Sequence, residues 1–244
     1  MKHKGYQKRN YRDWINPEDL KCFVAVEQET DLAIYAKKDL LKKALKSIKK
    51  HRDSLIQTIR LYPEFESSLI PVEIKTPVGN IARDMLIAGQ KASVGPFAAV
   101  AGAMAEYTGK DLLKYTDEII IENGGDIFIT TKKDRIIAIF AGGSPFTGRI
   151  GILFKKELSP AGICTSSGTV GHSKSFGKAD AVVVVSKSTP LADAVATSAC
   201  NKIQTKDDIK KALEYAMAIE GIEGIIVIID GHIGVQGGIE LTST

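Results

Sequence analysis

The sequence predicts an α+β fold: antiparallel sheets packed with buried helices of small residues, in two intimately packed halves. Three observations carry this. Short apolar runs recur in two groups, at residues 22–26 and 32–35 and again at 119–122, 127–129, 136–140 and 149–154, with only short turn segments between them inside each group, and that spacing favours hairpins. Residues 95–106 and 190–199 are built mostly from Gly, Ala and other small residues, which suits helices buried on all sides. Leu41, Leu45, Ile48, Leu55 and Ile59 form one apolar stripe with lysines opposite, the mark of an amphipathic helix.

Each element follows in order. Residues 1–19 are polar and basic and read as an N-terminal arm, and residues 20–244 as one domain with no linker, repeat or low-complexity segment. Residues 21–36 form a hairpin about a polar turn at Glu29 and Thr30. Asp39 caps a helix that runs to about Tyr62 and stops at Pro63. Residues 80–91 form a second amphipathic helix. The Gly95-Pro96 start of the small-residue helix directs free N–H groups outward. Asn123-Gly124-Gly125-Asp126 turns one strand into the next, and Lys132-Lys133-Asp134 turns that strand into another. Residues 162–168 lead into a Gly- and Ser-rich loop that ends at Gly177, followed by a strand at 181–185. The next helix opens with Pro190 in its first turn, where a missing N–H is harmless. A helix at 206–218, a buried strand at 225–229 and a turn-rich tail at 231–238 complete the chain.

Composition sets limits on function. The chain has 244 residues, 44% hydrophobic and 25% charged, ordinary for a globular protein with a sizeable core. The net charge of +4 comes largely from Lys2, Lys4, Lys8, Arg9 and Arg12 and from the lysines of the first helix. No motif or aromatic interleaving accompanies them, so they read as solvated surface and not as a nucleic-acid footprint. No apolar run is long enough to span a membrane, and none follows the charged N-terminus as in a signal peptide. Cys22, Cys164 and Cys200 are far apart and form no CxxC pair. That pattern gives neither a disulfide framework nor a zinc site and fits a reducing cytoplasm. A homo-oligomer is compatible with all of this.

The most informative stretch is Pro190 to Ala199. Asp193 and Thr197 stand four apart, on one helical face, among Leu191, Ala192, Ala194, Val195 and Ala196. A carboxylate in apolar surroundings needs a partner. A hard cation such as Mg²⁺ is one; a helix dipole for Asp193 with backbone bonding by Thr197 is the alternative. Asn123-Gly124-Gly125-Asp126 is a turn signal, and its glycines also permit close approach of backbone to a ligand. Thr165, Ser166, Ser167 and Gly168, with Ser173 and Ser175, offer N–H and O–H donors for a phosphate, or form a surface loop. His172 is the best candidate general acid/base. Cys164 reads as a small buried hydrophobe.

Taken together and in order, these motifs resemble the ApbE-like superfamily of flavin transferases, over roughly residues 20–230. The matching segments are Gly95 to Ala105, Asn123-Gly124-Gly125-Asp126, Thr165 to Gly168, and Leu191-Ala192-Asp193 with Thr197. The resemblance implies an FAD site and a Mg²⁺ ion held by Asp193, Thr197 and the carbonyl of Ala98. It implies transfer of the FMN half of FAD to a threonine hydroxyl, the metal neutralising the pyrophosphate and the leaving phosphate. The chain departs from the pattern in two places. Ala98-Ala99-Val100 stands where active transferases carry Ala-Lys-Gly, and the compact loop 169–178 replaces a long His-containing insertion. It therefore looks like a shorter branch: an enzyme for a flavin or other phosphorylated or nucleotide-like ligand, with Asp193 and His172 in catalytic roles, or a binding protein that kept the cleft and lost the chemistry.

Overall fold

The computed structural model of the protein describes residues 19–170 and 175–244. Among these residues, strands β1 (Lys21–Glu27), β2 (Thr30–Ala36), β3 (Ile119–Asn123), β4 (Asp126–Thr130), β7 (Ala161–Ser166), β8 (Ala181–Ser186), β9 (Ile222–Ile229) and β10 (His232–Gly237) form one sheet in the order β1-β2-β3-β4-β7-β8-β9-β10. Strands β5 (Arg135–Ala138), β6 (Ile150–Phe154) and β11 (Leu241–Ser243) form a second sheet, ordered β11-β6-β5. Every pairing in both is antiparallel.

The large sheet separates two cores. Side chains alternate across a strand, so Ile119, Ile121, Phe128, Cys164, Val182, Val184, Ile225 and Val227 meet the helices. Ile120, Ile127, Ile129, Ile163, Val183, Ile226 and Ile228 meet the small sheet. Burial on both faces explains why β3, β8 and β9 read as continuous apolar runs.

The helices are α1 (Leu41–Leu61), α2 (Glu64–Ser67), α3 (Asn80–Ala92), α4 (Val100–Leu112), α5 (Thr189–Asn201) and α6 (Ile209–Met217). Asp39 does hold the start of α1, its Oδ1 accepting from the N–H of Leu41 at 2.8 Å. A 3₁₀ helix, Pro96–Ala99, precedes α4, so the predicted small-residue helix begins with a tighter turn and runs on to Leu112. Another, Lys206–Asp208, precedes α6 and carries a Thr205/Asp208 capping box.

Two expectations are corrected. Lys132-Lys133-Asp134 does not join a hairpin: β4 is already flanked by β3 and β7, so the chain crosses to the small sheet, where β5 pairs with β6. The supposed turn-rich tail contains strand β10, paired from His232↔Ile229 to Gly237↔Gly224. Its glycines hide the strand pattern, and Gly234 is there because a Cβ would come within 2.3 Å of the Ile209 side chain. The arm is outside the described residues up to position 18. Asp19 is held by Arg135 at 2.6 and 3.1 Å. No described helix is long and apolar enough to cross a membrane.

Candidate functional site

The site forms where the N-terminal halves of α4 and α5 cross above the ends of β3, β4 and β7. Gly102 and Gly162 make the crossing close. A Cβ on Gly102 would lie 2.7 Å from the Thr189 carbonyl oxygen and 2.9 Å from Asp193 Cβ, and one on Gly162 would lie 2.5 Å from Thr189 Cα.

Each helix supplies a carboxylate to the other. Asp193, fifth residue of α5, accepts from the N–H of Gly102 at 2.8 Å and from that of Ala101, the third and second residues of α4. Glu106 of α4 accepts from the N–H of Thr189, the first residue of α5, at 2.6 Å, and pairs with Lys110 at 2.5 Å. Both carboxylates thus meet orphan donors at the positive end of a helix dipole. Asp193 lies beyond the first turn of its own helix, so its partner is the dipole of α4 and not that of α5. Ser188 completes the start of α5 by accepting from Leu191 N–H at 3.4 Å.

The hairpin turn brings in the second group. Gly124 and Gly125 have φ of +68° and +106°, as a two-residue turn of this hand requires. The flanking Asn123 and Asp126 are paired across the hairpin and face the helices. Asn123 donates its side-chain N–H to the Ala101 carbonyl at 3.0 Å. Asp126 accepts from Thr165 N–H at 3.3 Å. Asn123→Ala should cost about 1–2 kcal/mol, because it strips a bond from a carbonyl at a close-packed helix start; urea unfolding of the variant measures this.

Asp126 and Asp193 are both buried, at 6% and 7% exposure. Burial pushes the Asp193 carboxyl up to about 7, against the pull of the Gly102 and Ala101 N–H groups. Burial, and then the neighbouring Asp193 charge, pushes Asp126 well above the usual range. Cys164 lies beside Asp126, its thiol 3.5 Å from the Thr189 carbonyl and raised by burial and by both aspartates. It is a packed hydrophobe, as its sequence suggests, and not a thiolate.

The predicted donors divide into three groups. Thr165 joins the centre, at the Gly125 turn and at Asp126. Ser166 and Ser175 bond the Cys200 sulfur toward the far end of α5, and Ser175 also donates to Asn201 Oδ1 at 3.2 Å. Ser167 and Gly168 stitch their loop together: Gly168 N–H donates to the Ala179 carbonyl at 2.9 Å, and Thr169 and Val170 N–H donate to Ser167 Oγ at 3.1 and 3.0 Å. Those N–H groups close on the loop rather than on an open cradle. His172 and Ser173 lie outside the described residues. Glu106 and Ser188 were missed in the sequence; a glutamate between Ala105 and Tyr107 carries the signal that singled out Asp193, a charge inside a small-residue helix.

The donors suit a hard cation. Among the described residues no three His, Cys, Asp or Glu side chains cluster as a metal site, so hydroxyl and carbonyl oxygens would complete the set, as Mg²⁺ prefers. Thr197 stands one helical turn from Asp193. In an unbroken α-helix the Gly102 N–H would bond the Ala98 carbonyl, but it goes to Asp193 instead. The 3₁₀ helix that carries Ala98 packs directly against α5. Two N–H bonds leave a carboxylate with lone-pair sites to spare, and a cation relieves the repulsion between two buried carboxyls.

A helical layer and a small antiparallel sheet on either side of one large antiparallel sheet define an ApbE-type flavin transferase fold. The crystal structure of apo Pseudomonas stutzeri flavinyl transferase ApbE matches with a TM-score of 0.56 at 12% identity, covering 89% of this chain and 94% of that one. The ApbE protein of Thermotoga maritima matches with a TM-score of 0.53 at 12% identity, covering 91% and 96%. The chain belongs to the ApbE-like superfamily: the family described as AbpE bacteria matches residues 12–235. It is 46% identical over 213 residues to a UPF0280 protein of Methanocaldococcus jannaschii, with 85% of this chain and 86% of that one covered. It is 36% identical over 219 residues to a UPF0280 protein of Methanopyrus kandleri, with 87% and 88% covered.

Proposed function

We propose that the α4–α5 crossing is a cation-assisted site for a phosphorylated ligand, with a flavin nucleotide, FAD, as the first expectation and Mg²⁺ as the cation. The observation that carries this is a pair of buried carboxyls in one place: Asp193 on the N–H groups that open α4, and Asp126 near enough for the Asp193 charge to raise it. A scaffold has no need of such a pair, and a ligand-free structure bears it only at a cost in stability. Asp193, Thr197 and the Ala98 carbonyl would hold the ion, which would neutralise a pyrophosphate and the charge on a departing phosphate. Asn123 and Asp126, on the turn of Gly124 and Gly125, would line the ligand, with Thr165 beside them. Ser166 and Ser175 would sit further along α5. Three free cysteines, Cys22, Cys164 and Cys200, suit a reducing cytoplasm.

Ala99 favours a second reading, ligand binding without transfer. It is fully buried and puts no amine at the helix step where the transferase pattern has lysine. Equilibrium dialysis of the full chain with FAD, with and without Mg²⁺, tests the common part: metal-dependent FAD retention is expected, and equal or absent retention with and without metal contradicts it. AMP release in the same samples, with a threonine-containing acceptor protein present, separates the readings. Transfer of the FMN phosphoryl group to a hydroxyl must expel AMP, and binding alone does not.

A further inference from the structure

The edge strand β1 points to a partner. We propose that the protein forms a homodimer through antiparallel pairing of β1 with β1 of a second copy, about a two-fold axis at Val24. Among the described residues β1 ends the large sheet, so its outer edge is open. Glu27 and Thr30 close a two-residue hairpin, and such a closing pair exchanges both of its hydrogen bonds. By alternation Lys21, Phe23, Ala25 and Glu27 direct their N–H and C=O groups inward to β2, while Cys22, Val24 and Val26 direct theirs outward.

Proteins usually blunt such an edge with proline, a bulge or a central charge. β1 has none of these. Its register to β2 is continuous from Lys21↔Ala36 to Glu27↔Thr30, and its middle is Cys22-Phe23-Val24-Ala25-Val26. Val24 and Val26 are 47% and 51% exposed, and Cys22, on the same face, is exposed too.

The strand is its own complement. Centred on Val24, a second copy sets Val24 opposite Val24 and Cys22 opposite Val26, so every outward N–H meets an outward C=O. The same register sets Lys21 opposite Glu27 at both ends, in non-hydrogen-bonded positions, where facing Cα atoms approach to about 4.5 Å. Neither residue has an ion pair among the described residues. A slip of two residues breaks the match, leaving Glu27 opposite Asp19 or Phe23. The pairing therefore covers the exposed valines and neutralises both charges in one register.

Sedimentation velocity of the full chain over about 1–100 µM tests this, since dimer population follows mass action. A dimer is expected. Val24→Lys sets two lysines face to face on the axis and should give monomer with an unchanged circular dichroism spectrum. Lys21→Glu sets like charges opposite each other at both ends and should weaken association about tenfold or more, and adding Glu27→Lys should restore it. A wild-type monomer throughout the range overturns the proposal. So does a dimer indifferent to Val24→Lys and to charge reversal.

Discussion

Gly102→Ala is expected to destabilise the protein by about 1–3 kcal/mol or more, the range for forcing an extra carbon into a packed core. The added Cβ would lie 2.7 Å from the Thr189 carbonyl oxygen and 2.9 Å from Asp193 Cβ. Neither is the free end of a flexible side chain; one is backbone of α5 and the other the root of a buried residue. Relief requires α4 and α5 to separate, which lengthens the Gly102 to Asp193 bond of 2.8 Å and the Thr189 to Glu106 bond of 2.6 Å together. Alanine has the better helix propensity by about 0.8–1 kcal/mol, so a loss of stability despite that gain isolates the steric effect. The readout is the urea midpoint at unchanged m-value. A midpoint equal to or above wild type would show that the helices do not approach as closely as described.

The second large effect is a fall in stability of the metal-free protein as pH rises. Asp193 ionises near 3.8 in an unfolded chain and at about 7 in the fold. Between those values the folded state holds more protons than the unfolded chain, so stability declines as pH rises through the interval and levels off above about 7. The total decline is on the order of a few kcal/mol. Asp126, raised by burial and by Asp193, acts in the same direction. His51, lowered by burial, acts in the opposite direction below about pH 6.5, so the comparison is with Asp193→Asn. That variant keeps an oxygen for the Gly102 N–H and should show a shallower decline, with the share due to burial of Asp126 remaining, and at pH 8 without metal it should be more stable than wild type. Parallel pH curves for the two proteins would contradict this.

Much of this arrangement is legible in the sequence because its signals are local. The hairpin at residues 21–36, the Gly124-Gly125 turn, the α1 stripe and the small-residue helices follow from periodicity, turn chemistry and side-chain size. The carboxylate of Asp193 stands out because charge is rare inside such a helix. What stays hidden is long-range. Nothing near Lys132-Lys133-Asp134 tells that β4 has its far edge occupied by β7, so the jump to a second sheet cannot be read there. The glycines of β10 are set by the bulk of Ile209 on α6, a contact made in space. The exchange of Asp193 and Glu106 between two helix starts is likewise a property of the crossing; each segment alone shows only an acid among alanines. Hydroxyl density around residues 165–175 suggests one phosphate cradle, whereas the fold assigns the groups among the described residues to the turn, to Cys200 and to the loop itself.

The central claim is that Asp193 holds a cation that a phosphorylated ligand shares. The most direct measurement is thermal unfolding of wild-type protein and Asp193→Asn with FAD, FMN, ADP or buffer, each with and without Mg²⁺. A ligand that binds only the native state raises the midpoint by mass action, by about 2.7 kcal/mol at a hundredfold excess over Kd. The expected result is a rise with FAD that needs Mg²⁺ in the wild type and is absent in Asp193→Asn. An equal rise in both proteins, or no metal-dependent rise in the wild type with any of the three ligands, would contradict the claim.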